Sequence, residues 1–360
     1  MKMTISYLPS LPFRLDDILQ HLSGPTGILL GAFILDLFLG DPPYRLHPIR
    51  MIGQGIDYLQ KALCSLGLDG RIGGILLTFL IGSASVGGYL LGTFTLHHLY
   101  PPLGWLFDLF VCYSCLALKD LIHHIKPVVR ALENNDLDEA RGKLSMVVGR
   151  DVRLLNKEGI ARGAVETLAE NFVDGFLSPI FWYVTGCVIA YAFGKYPITI
   201  AISFMLVFKI ASTLDSMVGY KSAEYILFGR AGAKIDDFMN FVPARLSLFV
   251  LFAGAWISGL KPIQGLKVAL RDRLKHDSPN AAHGESFVAG ALDVRIGGPI
   301  RYPDGLKNKP WLGNGSPNLE PRHIQKTAVL IICSALVVIA IITALLLVFS
   351  VNTTVLQTVN

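Results

Sequence analysis

Glu166, Glu170 and Asp174 lie four residues apart, so a helix would carry all three on one stripe. Like charges at that spacing repel by about 0.2–0.5 kcal/mol per pair. The stripe runs through Asn171 and Ser178-Pro179 directly into an apolar stretch, and charge at a bilayer edge is costly enough to signal function. Arg162, four residues before Glu166, offers one local ion pair. Glu170 and Asp174 have no such neighbour in sequence, so the stripe needs a cation or donors from elsewhere. A solvated helix face is the plain alternative. Asp215 and the run Asp236-Asp237-x-x-Asn240 add oxygen groups of the hard type that holds Mg²⁺ bridged to phosphates. Acids gathered at a helix N-terminus would explain that run more simply, and Pro243 is expected to end the helix.

Cations stand near these acids in the chain. Asp41-Pro42-Pro43 ends one apolar segment and leads to His47 and Arg50. Arg50, Arg150 and Arg245 are candidates to hold phosphate or carboxylate, although an arginine at a membrane edge also meets lipid phosphates. Ser278-Pro279-Asn280 marks a turn, and Gly297-Gly298 permits close backbone approach. Lys275 and Arg271 could bind anions, or belong to a plain basic loop against anionic lipid.

The elements that position these groups must be membrane helices. The 360 residues are 52% hydrophobic and only 16% charged, against about 25% charged in soluble domains. A spanning helix takes about 20 apolar residues, which 72–96 and 328–351 supply without a charge. Residues 177–194 and 196–208, split by Lys195, predict a hairpin of two spans. Residues 27–40 and 104–118 are short and enclose Asp36 and Asp108. The polar segments 41–71, 119–176, 211–245 and 261–326 are rich in Arg and Lys; the last has 11 Lys/Arg against 6 Asp/Glu. The positive-inside rule puts all four on the cytoplasmic side and the uncharged tail 352–360 outside. Residues 246–260 then cannot make a simple crossing and are expected to be re-entrant, interfacial or buried, with Gly254 and Gly259 allowing a bend. The fold class is all-α, one polytopic membrane domain over 1–360.

Cys112-x-x-Cys115 sits in apolar sequence and reads as packing, not redox chemistry; five cysteines make no disulfide framework. Prolines and charges before residue 18 argue against a cleavable signal peptide. No P-loop, dinucleotide fingerprint, H-E-x-x-H or G-x-S-x-G occurs. Basic patches interleaved with aromatics are missing, which excludes a nucleic-acid partner.

Taken together, six ordered motifs resemble the CbiB/CobD family of adenosylcobinamide-phosphate synthases. They are Gly40-Asp41-Pro42 with His47-Pro48-Ile49-Arg50, Gly149-Arg150-Asp151, Glu166-Thr167 through Glu170-Asn171 to Asp174-Gly175, Thr213 to Tyr220, Asp236-Asp237 to Arg245, and Ser278-Pro279-Asn280 with Gly297-Gly298-Pro299. The resemblance covers about 28–302. It implies an inner-membrane, multi-pass enzyme of cobalamin biosynthesis with its active site on the cytoplasmic face. The enzyme would join the free carboxylate of adenosylcobyric acid to (R)-1-aminopropan-2-ol phosphate, or the free amino alcohol, with ATP and Mg²⁺. The corrinoid is substrate, and other corrinoid-pathway enzymes are candidate partners. The resemblance does not assign roles; the chemistry of the residues makes Glu166, Glu170, Asp174 and Asp215 the expected catalytic groups, and Asp174, Asp236 and Asp237 the expected metal ligands. Asp41, His47, Arg50, Arg150, Asp151, Asn171, Tyr220, Lys221, Asn240, Arg245, Ser278 and Asn280 are expected to bind substrate. Two departures stand out. Ala281-Ala282-His283-Gly284 replaces an expected Ala-Gly-Trp-Pro, and Asp293 stands near an expected Gly. Rival readings are an intramembrane Mg-dependent prenyl- or phospho-transferase, which needs a second Asp-rich motif, and a transporter with acidic coupling residues, which would show repeats; none is visible.

Overall fold

Pro25, Pro48, Pro101, Pro197, Pro262 and Pro321 each start a helix, where their fixed φ suits a first turn that needs no N–H partner. The computed structural model describes residues 23–359 apart from 43, 150, 220–224, 277 and 303–304. In chain order the helices are α1 (Pro25–Leu39), α2 (Pro48–Ser65), α3 (Arg71–Leu99), α4 (Pro101–Ser114), α5 (Leu118–Glu133), α6 (Leu137–Ser145) and α7 (Lys157–Phe172). A π-helical turn, Val173–Leu177, joins α7 to α8 (Ser178–Phe193). There follow α9 (Pro197–Val218), the single turn α10 (Tyr225–Phe228), α11 (Arg230–Ile257), α12 (Pro262–Asp272) and α13 (Ala281–Leu292). Four short strands, β1 (Ile296–Gly297), β2 (Ile300–Tyr302), β3 (Gly305–Lys307) and β4 (Trp311–Leu312), precede the long α14 (Pro321–Val359). β1 pairs antiparallel with β4 and β2 with β3. These strands are the one departure from an all-α chain.

Among the described residues, five helical segments are long and apolar enough to cross a membrane: 71–99, 157–193, 197–218, 230–257 and 321–348. Their outer faces expose large apolar side chains such as Ile72, Phe79, Phe193 and Phe249, a surface suited to lipid. The α8–α9 hairpin turns at Gly194 and Tyr196, both in the left-handed region. Its tip meets the α3–α4 hairpin, where the Phe94 and Tyr196 rings lie 5.7 Å apart. Both tips therefore share one end of the molecule. α1 and α4 are short, as expected. Cys112 and Cys115 are fully buried and unpaired with each other.

Residues 246–260 differ from expectation in extent. They are not a separate segment but the second half of α11, a continuous helix of 28 residues with Pro243 inside it. Pro243 does not end the helix, and Gly254 lies within it. A Cβ at Gly254 would come within 2.1 Å of Ser334 Oγ, so the missing side chain lets α14 approach. The helix is long and apolar enough to cross a membrane, which the expectation for 246–260 did not allow. Asn280 Nδ2 donates to the Asp237 carbonyl oxygen (2.8 Å), so the chain beyond α12 returns toward the start of α11. Asp293 also finds its reason: it caps α13 with φ +59°, a position that suits Gly, and pairs with Lys261 (2.8 Å).

Candidate functional site

Asp174 stands where three cavities meet, at the end opposite the hairpin tips. The largest, about 660 Å³, is lined by residues 146–149, by Glu166, Thr167, Glu170, Asn171 and Asp174 of the α7 rod, by Asp215, Ser216 and Gly219, and by Lys275, His276, Glu285, Gly297, Lys309, Pro310 and Leu312. A second, about 290 Å³, adds Asp236, Asp237, Asn240, Ser278 and Asn280 to Glu170, Asp174 and Asp215. A third, about 300 Å³, places Asp174 and Asn171 beside Ile49, Asp120, His124, Lys209 and Thr213. The acids of the stripe, the Asp-Asp-x-x-Asn run and the Ser-Pro-Asn turn are thus brought to one place. The π-turn sits at the point of convergence, and such turns recur at functional sites.

Backbone and amide donors hold the walls. Gly297 N donates to Glu166 Oε1 (2.7 Å), so this glycine approaches an acid of the site. Its φ of +74° is left-handed, and a Cβ would lie 2.7 Å from the Pro310 carbonyl oxygen. Ser178 Oγ donates to Asn240 Oδ1 (2.6 Å), and Asn240 Nδ2 reaches both Asp236 oxygens at 3.1 Å. Asn240 is therefore a positioning group for Asp236. Asp237 lies 3.5 Å from Ser278 Oγ and from Asn280 Nδ2.

Other expected residues sit elsewhere. His47 Nε2 and Arg50 Nη2 lie 3.1 and 3.3 Å from the two Asp41 oxygens. The trio is joined, yet only its neighbour Ile49 lines a cavity described here. Burial holds His47 below its ordinary value, against the pull of Asp41. Asp151 does not line these cavities; its carboxylate takes Arg153 at 2.7 Å, which lowers its pKa to about 2. Arg245 Nη1 donates to the Phe241 carbonyl oxygen (2.6 Å) and approaches Asn280 Oδ1 (3.4 Å). Arg271 and Lys275, the latter also lining the largest cavity, both hold Asp272 (2.5 and 2.7 Å). Arg150, Tyr220 and Lys221 lie outside the described residues.

Sequence reasoning missed Lys209. It ends an apolar run, and nothing local marks it as a partner for acids two helices away. The same holds for Glu285. Asp120, His123 and His124 present ligand atoms within 4.8 Å of one another, a set recognisable as D-x-x-H-H on one helix but not singled out above. Burial raises the pKa of Asp120. Asp174, Asp236 and Asp237 are wall groups around shared space, an arrangement fitted to Mg²⁺ shared with substrate phosphates because that ion keeps few protein ligands.

A family model described as CobD/Cbib protein matches residues 29–331. The chain belongs to the CobD/Cbib family. It is 38% identical over 305 residues to cobalamin biosynthesis protein CobD of Desulfotalea psychrophila, covering 83% of this chain and 91% of that one. Cobalamin biosynthesis protein CbiB of Salmonella typhimurium is 36% identical over 317 residues, 87% and 95% of the two chains. CobD of Yersinia enterocolitica is 38% identical over 322 residues, 88% and 97%. No solved structure matches. Membership of this family, with five candidate spans, makes the chain a multi-pass membrane protein of cobalamin biosynthesis.

Proposed function

We propose that this chain forms the amide bond between adenosylcobyric acid and (R)-1-aminopropan-2-ol phosphate, or the free amino alcohol, giving adenosylcobinamide phosphate or cobinamide. The observation that carries the reading is the convergence of acids and cations from five sequence segments on one cavity end, in a chain of the CobD/Cbib family. A carboxylate is a poor acyl donor because oxide would have to leave. Phosphoryl transfer from ATP to the carboxylate oxygen releases ADP and makes phosphate the leaving group. The amine then attacks the acyl carbon, phosphate departs, and the ammonium nitrogen loses a proton.

The cavity walls suit each part of this sequence. Asp174, Asp236 and Asp237 would hold Mg²⁺, which when bound neutralises phosphate charge. Lys209 and Lys275, on two cavity walls, are placed to bind anionic oxygens. Glu166 or Glu170 takes the proton from the attacking amine; Glu166 is held in orientation by the Gly297 amide. Positive charge on the returning segment 261–326 supports a cytoplasmic site in the inner membrane.

The test is incubation of the purified protein with adenosylcobyric acid, Mg-ATP and each candidate amine, with mass spectrometry of the corrinoid and an assay for ADP. The expected result is an amide product with ADP formed only when corrinoid and amine are both present. Corrin-independent turnover, or no amide product with either amine, would overturn the reading.

A further inference from the structure

Asp120, His123 and His124 lie on the first two turns of α5, a helix that is anchored before it reaches them. Asp36 Oδ2 accepts the Leu118 and Lys119 amides (3.1 and 3.2 Å), and Ala117 N donates to the Gly175 carbonyl oxygen (3.1 Å). The last bond ties the start of α5 to the π-turn beside Asp174. Residues three and four apart share a helix face, so Asp120 meets both histidines. The ligand atoms of the three stand within 4.8 Å of one another. His124 Nδ1 lies 3.2 Å from an Asp120 carboxylate oxygen, and the two histidine rings are 5.8 Å apart centre to centre.

An Asp120–His124 ion pair uses two of these groups; His123 adds a third ligand atom to the same spot. The set is also reachable. The His124 and Asp120 side chains are 38% and 30% exposed, and His123 is exposed. Asp120 and His124 line the third cavity, about 300 Å³, together with Asn171, Asp174 and Lys209, so open space adjoins them. Two imidazoles and a carboxylate are the donor set of Zn²⁺ and its transition-metal neighbours, whereas Mg²⁺ takes oxygen ligands. The wall of Asp174, Asp236 and Asp237 offers oxygens alone, so the two places differ in the ion they select. Zn–N bonds of about 2.0–2.1 Å set tetrahedral ligands about 3.4 Å apart, and rotation of the exposed His123 ring closes the difference.

We infer that Asp120, His123 and His124 bind a divalent ion of the Zn²⁺ class, with a fourth position left open toward the third cavity. Three protein ligands and one open position are the form in which zinc holds a water or a ligand oxygen. Water, or an anionic oxygen of a molecule in the cavity, takes that position. All three ligands come from α5, so no other element has to move to complete the site. It is separate from the acids assigned to Mg²⁺ and does not depend on the reaction proposed above.

The full chain, purified in neutral detergent without a histidine tag and stripped with a chelator, is titrated with Zn²⁺ by calorimetry in excess Mg²⁺. The site predicts a saturable event weakened at least about tenfold in His123→Gln and in Asp120→Asn, since even the loss of an outer-shell partner costs that much. His98→Gln, at an exposed histidine of α3, leaves it unchanged. His123 is exposed, so its replacement is expected to keep the fold, and equal thermal midpoints check this. Joint Asp236→Asn and Asp237→Asn substitution also leaves the event intact, which separates it from the acid-lined cavity. Cu²⁺ in place of Zn²⁺ gives an electron paramagnetic resonance spectrum split by two imidazole nitrogens, falling to one in His123→Gln. Zn²⁺ binding that His123→Gln and Asp120→Asn both leave intact, binding lost instead with Asp236 and Asp237, absence of a saturable event, or a Cu²⁺ spectrum without two nitrogens would each overturn the proposal.

Discussion

Asp108 and Asp174 are both acids inside apolar helical segments, and they are treated in opposite ways. Asp108 on α4 is 0% exposed and fully occupied: Tyr89 and Thr93 donate to one oxygen (2.9 and 2.8 Å), and His97 Nε2 lies 2.9 Å from the other. All three partners come from α3, so the acid clasps one helix hairpin near its tip. Asp174 instead opens onto three cavities with Glu170, Asp215 and Asp236 around it. An acid surrounded by donors is a fastener; acids surrounded by acids and open space are prepared for a ligand. The position of a charge in an apolar run does not separate the two, but its neighbours do.

Replacing both Asp236 and Asp237 by Asn gives the sharpest contrast. Amide formation falls by about a hundredfold or more, the usual cost of losing charge stabilisation at a reacting group, while gel filtration in detergent shows a folded protein. The mirror experiment is Asp108→Ala, which strands two buried hydroxyls. Its expected cost is about 3 kcal/mol of stability, read as a lower thermal midpoint, with turnover per folded molecule unchanged. Lost turnover without lost stability there would erase the distinction.

Asp272 sharpens it further as a second fastener. Although burial opposes it, Arg271, Lys275 and the Gly313 amide hold its carboxyl well below the usual carboxylate range. A depressed folded value means that the stability is present above the unfolded value and is lost as pH falls through the folded one. Asp272→Ala therefore costs about 2 kcal/mol near neutral pH, and the gap from the unsubstituted protein narrows below about pH 4. Denaturant melts across pH check both. The smallest effect belongs to Asp151→Asn: its partner Arg153 is exposed, so stability and turnover are expected to stay unchanged. A large loss of turnover would restore Asp151 to the substrate site.

Much of this contrast was legible in the sequence because helical period and composition are local. The spans at 72–96 and 328–351 and the 177–208 hairpin follow from apolar length alone. The acid stripe at 166–174 and the Asp236-Asp237 run announced themselves by spacing. The remainder depends on tertiary contacts. Pro243 looked like a helix end because proline breaks an isolated helix, yet packing of α11 against α14 carries the helix through. Lys209 is one lysine at the end of an apolar run until α9 folds beside Asp174. His283 read as a departure from a motif, and its burial with Nδ1 on the Asn280 carbonyl oxygen appears only in the fold. Asp151 looked like a site residue because it follows Arg150, whereas Arg153, two residues on, takes its charge.

The central claim is that the cavity acids make the bond and the clasped acid makes the fold. Turnover of adenosylcobyric acid per folded molecule, measured side by side for Asp174→Asn and Asp108→Asn, tests it most directly. The expected result is loss of product in the first by about a hundredfold and normal product in the second. Full turnover by a folded Asp174→Asn protein would contradict it.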